Sequence, residues 1–103
     1  MTNIIKINCE STTFVDKHNP VNNYSKFKTI STGIVNSHST GFHLFKSFLN
    51  FNVPKINTDK IISAYLFIYI KNLQTVDNVP ESIGICGNHT NITSSNLSWD
   101  NFP

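Results

Sequence analysis

The sequence predicts an all-β fold, an antiparallel β-sandwich of jelly-roll type. Three observations predict it. No stretch keeps a helical period of apolar residues, short apolar runs alternate with period two, and clusters of Asn, Asp, Ser, Gly and Pro separate these runs. The loops between the runs are longer than tight hairpin turns, which suits the crossing connections of a jelly roll.

The strongest strand pattern lies in two segments, residues 45–53 and 61–71, on either side of Pro54. Because side chains alternate across a strand, the second segment has two different faces. One is aliphatic and one is aromatic in its middle: Ile62, Ala64, Leu66, Ile68 and Ile70 against Tyr65, Phe67 and Tyr69. A helix here would be apolar around its whole circumference, so a strand is the better interpretation. We expect the two segments to be neighbouring strands.

The other elements follow in order. Residues 1–11 are interpreted as an arm or a first strand, and residues 12–103 as the sandwich, which begins with a short apolar strand and a turn cluster at 16–20. Alternation returns at residues 24–32, Gly33 and residues 36–41 indicate a polar loop, and residues 82–86 are predicted to be a short strand. Residues 91–103 are polar with late apolar anchors, among them Trp99.

Length and charge narrow the classes of function. A chain of 103 residues forms one domain with a modest core, and a net charge of +2 without a run of Lys or Arg predicts no nucleic-acid partner. The longest apolar run is too short to cross a bilayer, so we expect no membrane insertion. The first residues lack the pattern of a signal peptide, which leaves the location open, with a spore or cell surface reached without classical secretion as one option.

Catalytic and metal-binding patterns are hard to find. The four His lie in different segments without metal-ligand spacing and are interpreted as exposed loop residues, while no spacing selects a pair among the six acids. Asp16 with Asn19, and Asp59 with Asn57, offer oxygen atoms to calcium but form no complete loop. We therefore predict no catalytic residue, no metal site, no cofactor and no enzymatic activity.

Cys9 and Cys86 are too few and too far apart in sequence for a zinc site or a two-residue redox motif. Two interpretations stay open: a pair of reduced thiols, which we favour, or a disulfide within or between chains in an oxidising setting.

The aromatic face of residues 61–71 suggests a ligand platform. Sugar rings dock on flat aromatic faces, because their C–H groups pack there and lose water. Tyr65, Phe67 and Tyr69 form such a stripe if their face is open. The alternative, which we favour, is that this face packs under a loop or a second sheet.

Four motifs in order give the chain a resemblance to a known family. They are Thr13-Phe14-Val15 with the loop at 19–23, the strand at 46–54, the run Ile61-Ile62-Ser63-Ala64-Tyr65-Leu66 with its continuation to Ile70, and Leu97-Ser98-Trp99-Asp100-Asn101-Phe102-Pro103. Together they resemble the DNRLRE domain family, a jelly-roll group that includes modules classed as alginate-binding. The chain is most similar to the short clostridial and bacillary members that lack a signal peptide.

Two departures from the family pattern change what the resemblance implies. Lys46 stands where members usually have Arg, which removes a planar two-pronged donor. Family domains also continue with further strands after the Trp-Pro signature. The resemblance therefore implies a sandwich incomplete at its C-terminal edge, whose unpaired groups must be covered by self-association or by a strand from another chain.

Two functions remain. The first is a non-catalytic structural or adhesive module that joins a surface or particle-like assembly through its strand edges. The second, by analogy with family members, is a carbohydrate-binding module for acidic polysaccharide. In that case Lys26, Lys28 and Lys46 would meet carboxylates while Tyr65 or Tyr69 stacks on a sugar ring, with Phe67 in the same stripe.

Overall fold

A computed structural model describes residues 3–37, 39–72, 83–87 and 92–102. It contains three strands, β1 (Cys9–Asp16), β2 (Gly33–Ser37) and β3 (Gly41–Phe51), and two single-turn 3₁₀ helices, Thr58–Lys60 and Ser94–Asn96. The strands form one antiparallel sheet in the order β1-β3-β2, and no α-helix occurs in the described ranges. The fold class is therefore all-β, as predicted.

The chain divides into two compact units. The first, which we call the sheet unit, consists of Met1–Val53 and Asn88–Pro103, and the second, the central unit, is Pro54–Gly87. All three strands lie in the sheet unit, so its core is built from segments far apart in sequence.

The strand pairing sets which side chains share a face. In the β1–β3 pair, Thr13 lies opposite Phe48 and Val15 opposite Lys46, after an irregularity in register between Cys9 and Ser11. β2 and β3 form a hairpin that closes with Ser37 opposite Gly41. Gly41 has a φ of 89°, a left-handed conformation that side chains rarely adopt, so the sequence needs a glycine at this hairpin end.

One face of the sheet is covered by the C-terminal segment. Thr13 and Val15 are fully buried on this face, and Leu97 is buried as well. The Asn50 side-chain amide donates to Ser11 Oγ and to Ser94 Oγ, each at 3.0 Å. Both polar and apolar contacts thus hold residues 94–97 against β1 and β3.

The opposite face is covered by residues that follow β1. Phe14 is buried there, with its ring stacked on Tyr24 at a centroid distance of 4.5 Å. Phe45 and Phe27 meet the same ring edge-on at 5.7 and 5.9 Å. Such offset and edge-on aromatic pairs stabilise a core beyond the area that they bury. Phe14 is therefore the centre of an aromatic cluster on this face of the sheet.

The loop at residues 19–23 contacts the C-terminal segment that covers the first face. Asn23 donates its side-chain amide to the carbonyl oxygens of Ser94 and Leu97, both at 2.7 Å. The backbone N–H of Asp100 donates to the carbonyl of Pro20 at 3.0 Å. The Asn- and Pro-bearing loop and the Trp-containing segment, two of the four family-like motifs, are thus in direct contact.

The predicted strands are confirmed at two places. The strand expected up to Val53 is β3, which ends two residues earlier at Phe51. The short strand at 12–15 is part of β1, and the turn cluster after it forms as predicted, with Asn19 N–H donating to Asp16 O. β1 begins at Cys9, so it crosses the expected boundary at residue 11, and residues 3–8 form no strand.

Three predictions of local structure were wrong. Gly33 and residues 36–37, interpreted as parts of a polar loop, belong to β2, because residues 33–37 pair with β3 through a hairpin, and the turn is confined to the residues between the two strands. Residues 24–32 form turns rather than a strand. Tyr24 and Phe27 are three positions apart, so a strand would place their side chains on opposite faces, yet both pack on Phe14.

The third wrong prediction concerns the central unit. Residues 61–71 and 83–87 belong to no strand, and β3 pairs with β1 and β2 instead. A strand needs a hydrogen-bonded neighbour, and no described residue gives residues 61–71 a ladder. The segment forms no helix either. Residue 82, the start of the other predicted strand, lies outside the described residues.

Candidate functional site

Within the described ranges, exposed large apolar side chains are concentrated in residues 61–70, which we call the apolar segment. The turn Thr58–Lys60 precedes it, closed by Lys60 N–H donating to Asn57 O at 3.0 Å. The segment contains no Gly, Pro or charge, and Lys60 and Lys71 flank it. Eight of its large side chains are exposed: Ile61, Ile62, Tyr65, Leu66, Phe67, Ile68, Tyr69 and Ile70. Exposed apolar surface of this length marks interaction sites in soluble proteins.

Residues 65–70 of the apolar segment alternate in exposure as the sequence predicts, whereas Ile61 and Ile62, at 48% and 86% exposed, do not. Tyr65, Phe67 and Tyr69 are 79%, 90% and 91% exposed, whereas Leu66, Ile68 and Ile70 are 41%, 45% and 56% exposed. The Tyr65 and Phe67 rings lie 6.5 Å apart between centroids. The aromatic stripe is thus open rather than covered by a loop or sheet, contrary to the alternative favoured from the sequence.

The lysines expected to accompany this stripe belong to the sheet unit, and each is described there. Lys46 Nζ is 5.1 Å from the ring centre of Phe102 and 5.7 Å from that of Trp99, where a cation is attracted to aromatic faces. Lys26 and Lys28 are exposed in the turn region that follows β1. All three belong to the sheet unit, and the aromatic stripe belongs to the central unit.

A partly buried polar cluster was missed by the sequence analysis. His43, interpreted as an exposed loop residue, lies on β3 with its side chain 13% exposed, and its Nδ1 lies 2.7 Å from Oδ2 of Asp16. Its Nε2 lies 2.7 Å from Thr40 Oγ1. The positions in sequence could have revealed this placement. His43 and Phe45 are two residues apart on one strand, so their side chains lie on the same side of β3.

The carboxylate of Asp16 is fully occupied by donors. Besides His43, it accepts from the Asn19 side chain at 2.9 Å and the backbone N–H of His18 at 3.0 Å. Burial alone would raise the pKa of Asp16, but these hydrogen bonds, and after them the charge of His43, outweigh burial and hold this pKa below its ordinary value of 3.8. In this arrangement the side-chain nitrogen of Asn19, and not its oxygen, faces the Asp16 carboxylate.

The side chains of Asp16, His43 and Thr40 form one hydrogen-bonded row. Asp16 ends β1, and Thr40 lies in the hairpin between β2 and β3, so His43 ties the hairpin to the turn after β1. An open depression of about 570 Å³ lies beside it, lined by Lys17, His18, Ile34, Phe42, His43 and Leu44. Three of the six lining residues, Lys17, His18 and His43, carry polar or charged groups, and the other three are apolar.

The remaining predicted features are the two cysteines and the Asp59–Asn57 pair. Cys9 and Cys86 are both free and exposed, Cys9 in the sheet unit and Cys86 in the central unit. Asp59 donates its backbone N–H to the Asn57 side chain at 3.1 Å, which makes a turn. Over the part of the chain that the structure describes, no three His, Cys, Asp or Glu side chains group as metal ligands, and no helix has the length and hydropathy to span a membrane.

Comparison with known proteins gives no further guide. No family model, no curated protein and no solved structure matches this chain. The apolar segment is therefore the candidate site on structural grounds alone.

Proposed function

We propose that this chain is a non-catalytic β module that takes part in a surface or particle-like assembly through strand addition at its apolar segment. The observation that carries the proposal is the exposure of eight large apolar side chains in ten consecutive residues. In strand addition, an extended segment gains a ladder from a partner, and pockets for alternate side chains give specificity. The jelly-roll resemblance supports the proposal, since its members are sandwiches whose strands are paired.

The energies favour covering the whole segment at once. Full burial of one large apolar side chain stabilises by about 1.5–3 kcal/mol. Association costs about 4–15 kcal/mol in lost freedom, so a single side chain does not suffice. Four or more of the exposed side chains, covered together, reach this range. The apolar segment is long enough to supply them, with extra stabilisation from ladder hydrogen bonds.

The polar features of the segment also suit a strand. Lys60 and Lys71 at its ends resemble the charged residues that limit pairing to a defined stretch. Ser63 is the single polar side chain between them. A partner strand would therefore meet one continuous apolar stretch with a cation at each end.

The test is sedimentation velocity over a wide range of protein concentration, together with amide hydrogen exchange. We expect wild-type protein to self-associate and its amides at 61–71 to be protected in the associated form. Phe67→Lys should abolish both effects, because it places a charge in the middle of the ladder. Phe42→Lys is the matched control, since Phe42 is also a well-exposed phenylalanine but lies on β3. A wild-type protein that stays monomeric, or a Phe42→Lys effect equal to that of Phe67→Lys, would contradict the proposal.

A second candidate function is binding of acidic polysaccharide. The open stripe of Tyr65, Phe67 and Tyr69 favours it, because three exposed rings on one face can stack on sugar rings. Affinity electrophoresis on alginate tests it. Retardation that Tyr65→Ala and Tyr69→Ala abolish, and that Lys26→Gln with Lys28→Gln weakens, would support this function. Unchanged mobility of wild-type protein on alginate and on cell-wall glycans would count against it.

A further inference from the structure

We infer that the Thr40 hydroxyl is a modification site, a nucleophile that His43 activates toward an aryl ester or a similarly activated acyl donor. The inference goes beyond the proposed assembly and does not depend on the apolar segment. It rests on the row of hydrogen bonds at the end of the β2–β3 hairpin. His43 Nε2 lies 2.7 Å from Thr40 Oγ1, and His43 Nδ1 lies 2.7 Å from Asp16 Oδ2.

The Asp16 carboxylate decides which ring nitrogen of His43 carries the proton. Burial opposes its ionisation, but hydrogen bonds from His43, Asn19 and the His18 backbone hold the pKa of Asp16 below its ordinary value, so it is ionised at neutral pH. An ionised carboxylate only accepts hydrogen bonds, so Nδ1–H of His43 donates to Asp16. A neutral His43 then has its lone pair at Nε2. The Thr40 hydroxyl therefore donates its proton to His43.

The acceptor distinguishes Thr40 from two other hydroxyl groups of the sheet unit. Thr32 Oγ1 donates to the Ser47 hydroxyl at 2.7 Å, and Ser25 Oγ donates to the Asn23 amide oxygen at 2.6 Å. Neither of these acceptors takes up a proton near neutral pH, whereas a neutral imidazole does. Thr40 is also exposed. A hydroxyl that is open to solvent and paired with a positioned base has the arrangement of an activated nucleophile.

The reaction needs only these side chains and the aryl ester. As Thr40 Oγ1 bonds to the ester carbonyl carbon, its proton passes to His43 Nε2, and the bond from that carbon to the aryl oxygen breaks. The imidazolium gives the proton to the departing phenolate, which restores neutral His43 and leaves Thr40 esterified. Asp16 is a positioning residue, since it orients the ring and stabilises its charged form. A threonine alkoxide is a much poorer leaving group than a phenolate, so the new ester persists and the step is a modification rather than a turnover.

Incubation of the full chain with p-nitrophenyl acetate at neutral pH, followed by peptide mass spectrometry, tests the inference. We expect an acetyl group on Thr40 and none on Thr32 or Ser25 in the same digest, which makes these two hydroxyls internal controls. A general base contributes about 10²–10⁴-fold, so His43→Gln should slow acetylation of Thr40 by at least about 100-fold. Thr40→Ser should still be acetylated at position 40, because it keeps a hydroxyl beside His43, and Thr40→Val should not.

Nitrogen NMR of the His43 ring separates activation from a merely structural role. Wild-type protein should show the Nδ1–H tautomer. In Asp16→Asn the side-chain amide donates to Nδ1 and the ring proton moves to Nε2, so acetylation of Thr40 should fall while that of the exposed Lys26 stays unchanged. Three results with wild-type protein would each overturn the inference: acetylation of Thr32 as fast as that of Thr40, an Nε2–H tautomer of His43, or release of nitrophenol in excess of protein with no acetyl group on Thr40.

Discussion

In β1 and in the apolar segment, burial is the reverse of what the polarity of the residues alone would suggest. β1 is mostly polar, yet Thr13, Val15 and Asp16 are at most 2% exposed. The apolar segment is almost entirely hydrophobic, yet none of its residues is buried. The difference lies in the partners that the described chain supplies. β1 has β3 beside it and a covering segment on each face, whereas the apolar segment has no ladder. Strand propensity therefore expresses how well a residue fits a paired surface.

The largest expected effect is the difference in stability between variants of two phenylalanines, Phe14 and Phe67. Phe14→Ala removes the ring at the centre of the aromatic cluster and should lower the free energy of unfolding by about 3–5 kcal/mol. Phe67→Ala should change it by less than about 0.5 kcal/mol in the monomer, because that ring is 90% exposed. Urea unfolding of both variants at low protein concentration measures the difference. Equal effects would show that Phe67 is buried in the monomer.

The next prediction concerns the end of β1. Asp16→Asn should cost about 2–3 kcal/mol, because an amide presents a donor to the donors of His43 and Asn19. Since the pKa of Asp16 is lowered by folding, its contribution is full above the unfolded value of about 3.8 and is lost as pH falls through the lower folded value.

Urea unfolding as a function of pH checks this. The wild-type stability should fall more steeply than that of Asp16→Asn as pH drops below 3.8. Glu10→Gln serves as control, since Glu10 is an exposed acid on the same strand. Parallel curves for wild type and Asp16→Asn would contradict the prediction.

A smaller effect is expected where the loop meets the C-terminal segment. Asn23→Ala removes both hydrogen bonds to the carbonyls of Ser94 and Leu97 and should cost about 1–2 kcal/mol. Its neighbour is the matched control, because Asn22 makes one long side-chain contact of 3.4 Å with Tyr24. Thermal unfolding of the two variants measures the difference. If Asn22→Ala lowers the melting temperature as much, the contact is not specific.

The smallest effect is at Lys46. Lys46→Arg should stabilise by a few tenths of a kcal/mol, about 0.3, because a planar guanidinium stacks on Trp99 and Phe102 better than an ammonium group. Lys28→Arg, at an exposed position in the turn region, should change nothing measurable. Chemical denaturation with many replicates can resolve the difference, and a destabilised Lys46→Arg would argue against stacking.

The sequence predicts those parts of the fold that depend on local pattern. The all-β class, the long strand β3 and the turn after Asp16 follow from alternation and turn residues. β2 was missed because a short strand beginning at a glycine has little pattern of its own, and its pairing is set by the hairpin. The strand at 61–71 was overpredicted for the opposite reason: its pattern is strong, but the ladder partner is not encoded in the segment.

In the candidate site too, features set by local pattern could be predicted and features set by distant segments could not. The two faces of the apolar segment could be predicted from alternation, and their exposure could not, because burial depends on distant segments. The Asp16–His43 contact joins residues 27 positions apart and depends on β1–β3 register, so no spacing rule reveals it. The contacts of Lys46 with Trp99 and Phe102 could not be predicted either, because they depend on how the C-terminal segment packs.

The bond from Asn23 to Leu97 spans 74 positions of sequence and has a consequence for biosynthesis. The fully buried face of β1 receives its cover from residues near position 97, which leave the ribosome long after β1 does. Until then a nascent chain exposes both this face and the apolar segment, each able to attach to a neighbouring polypeptide. We expect a chaperone that shields extended apolar stretches to raise the yield of correctly folded protein during translation.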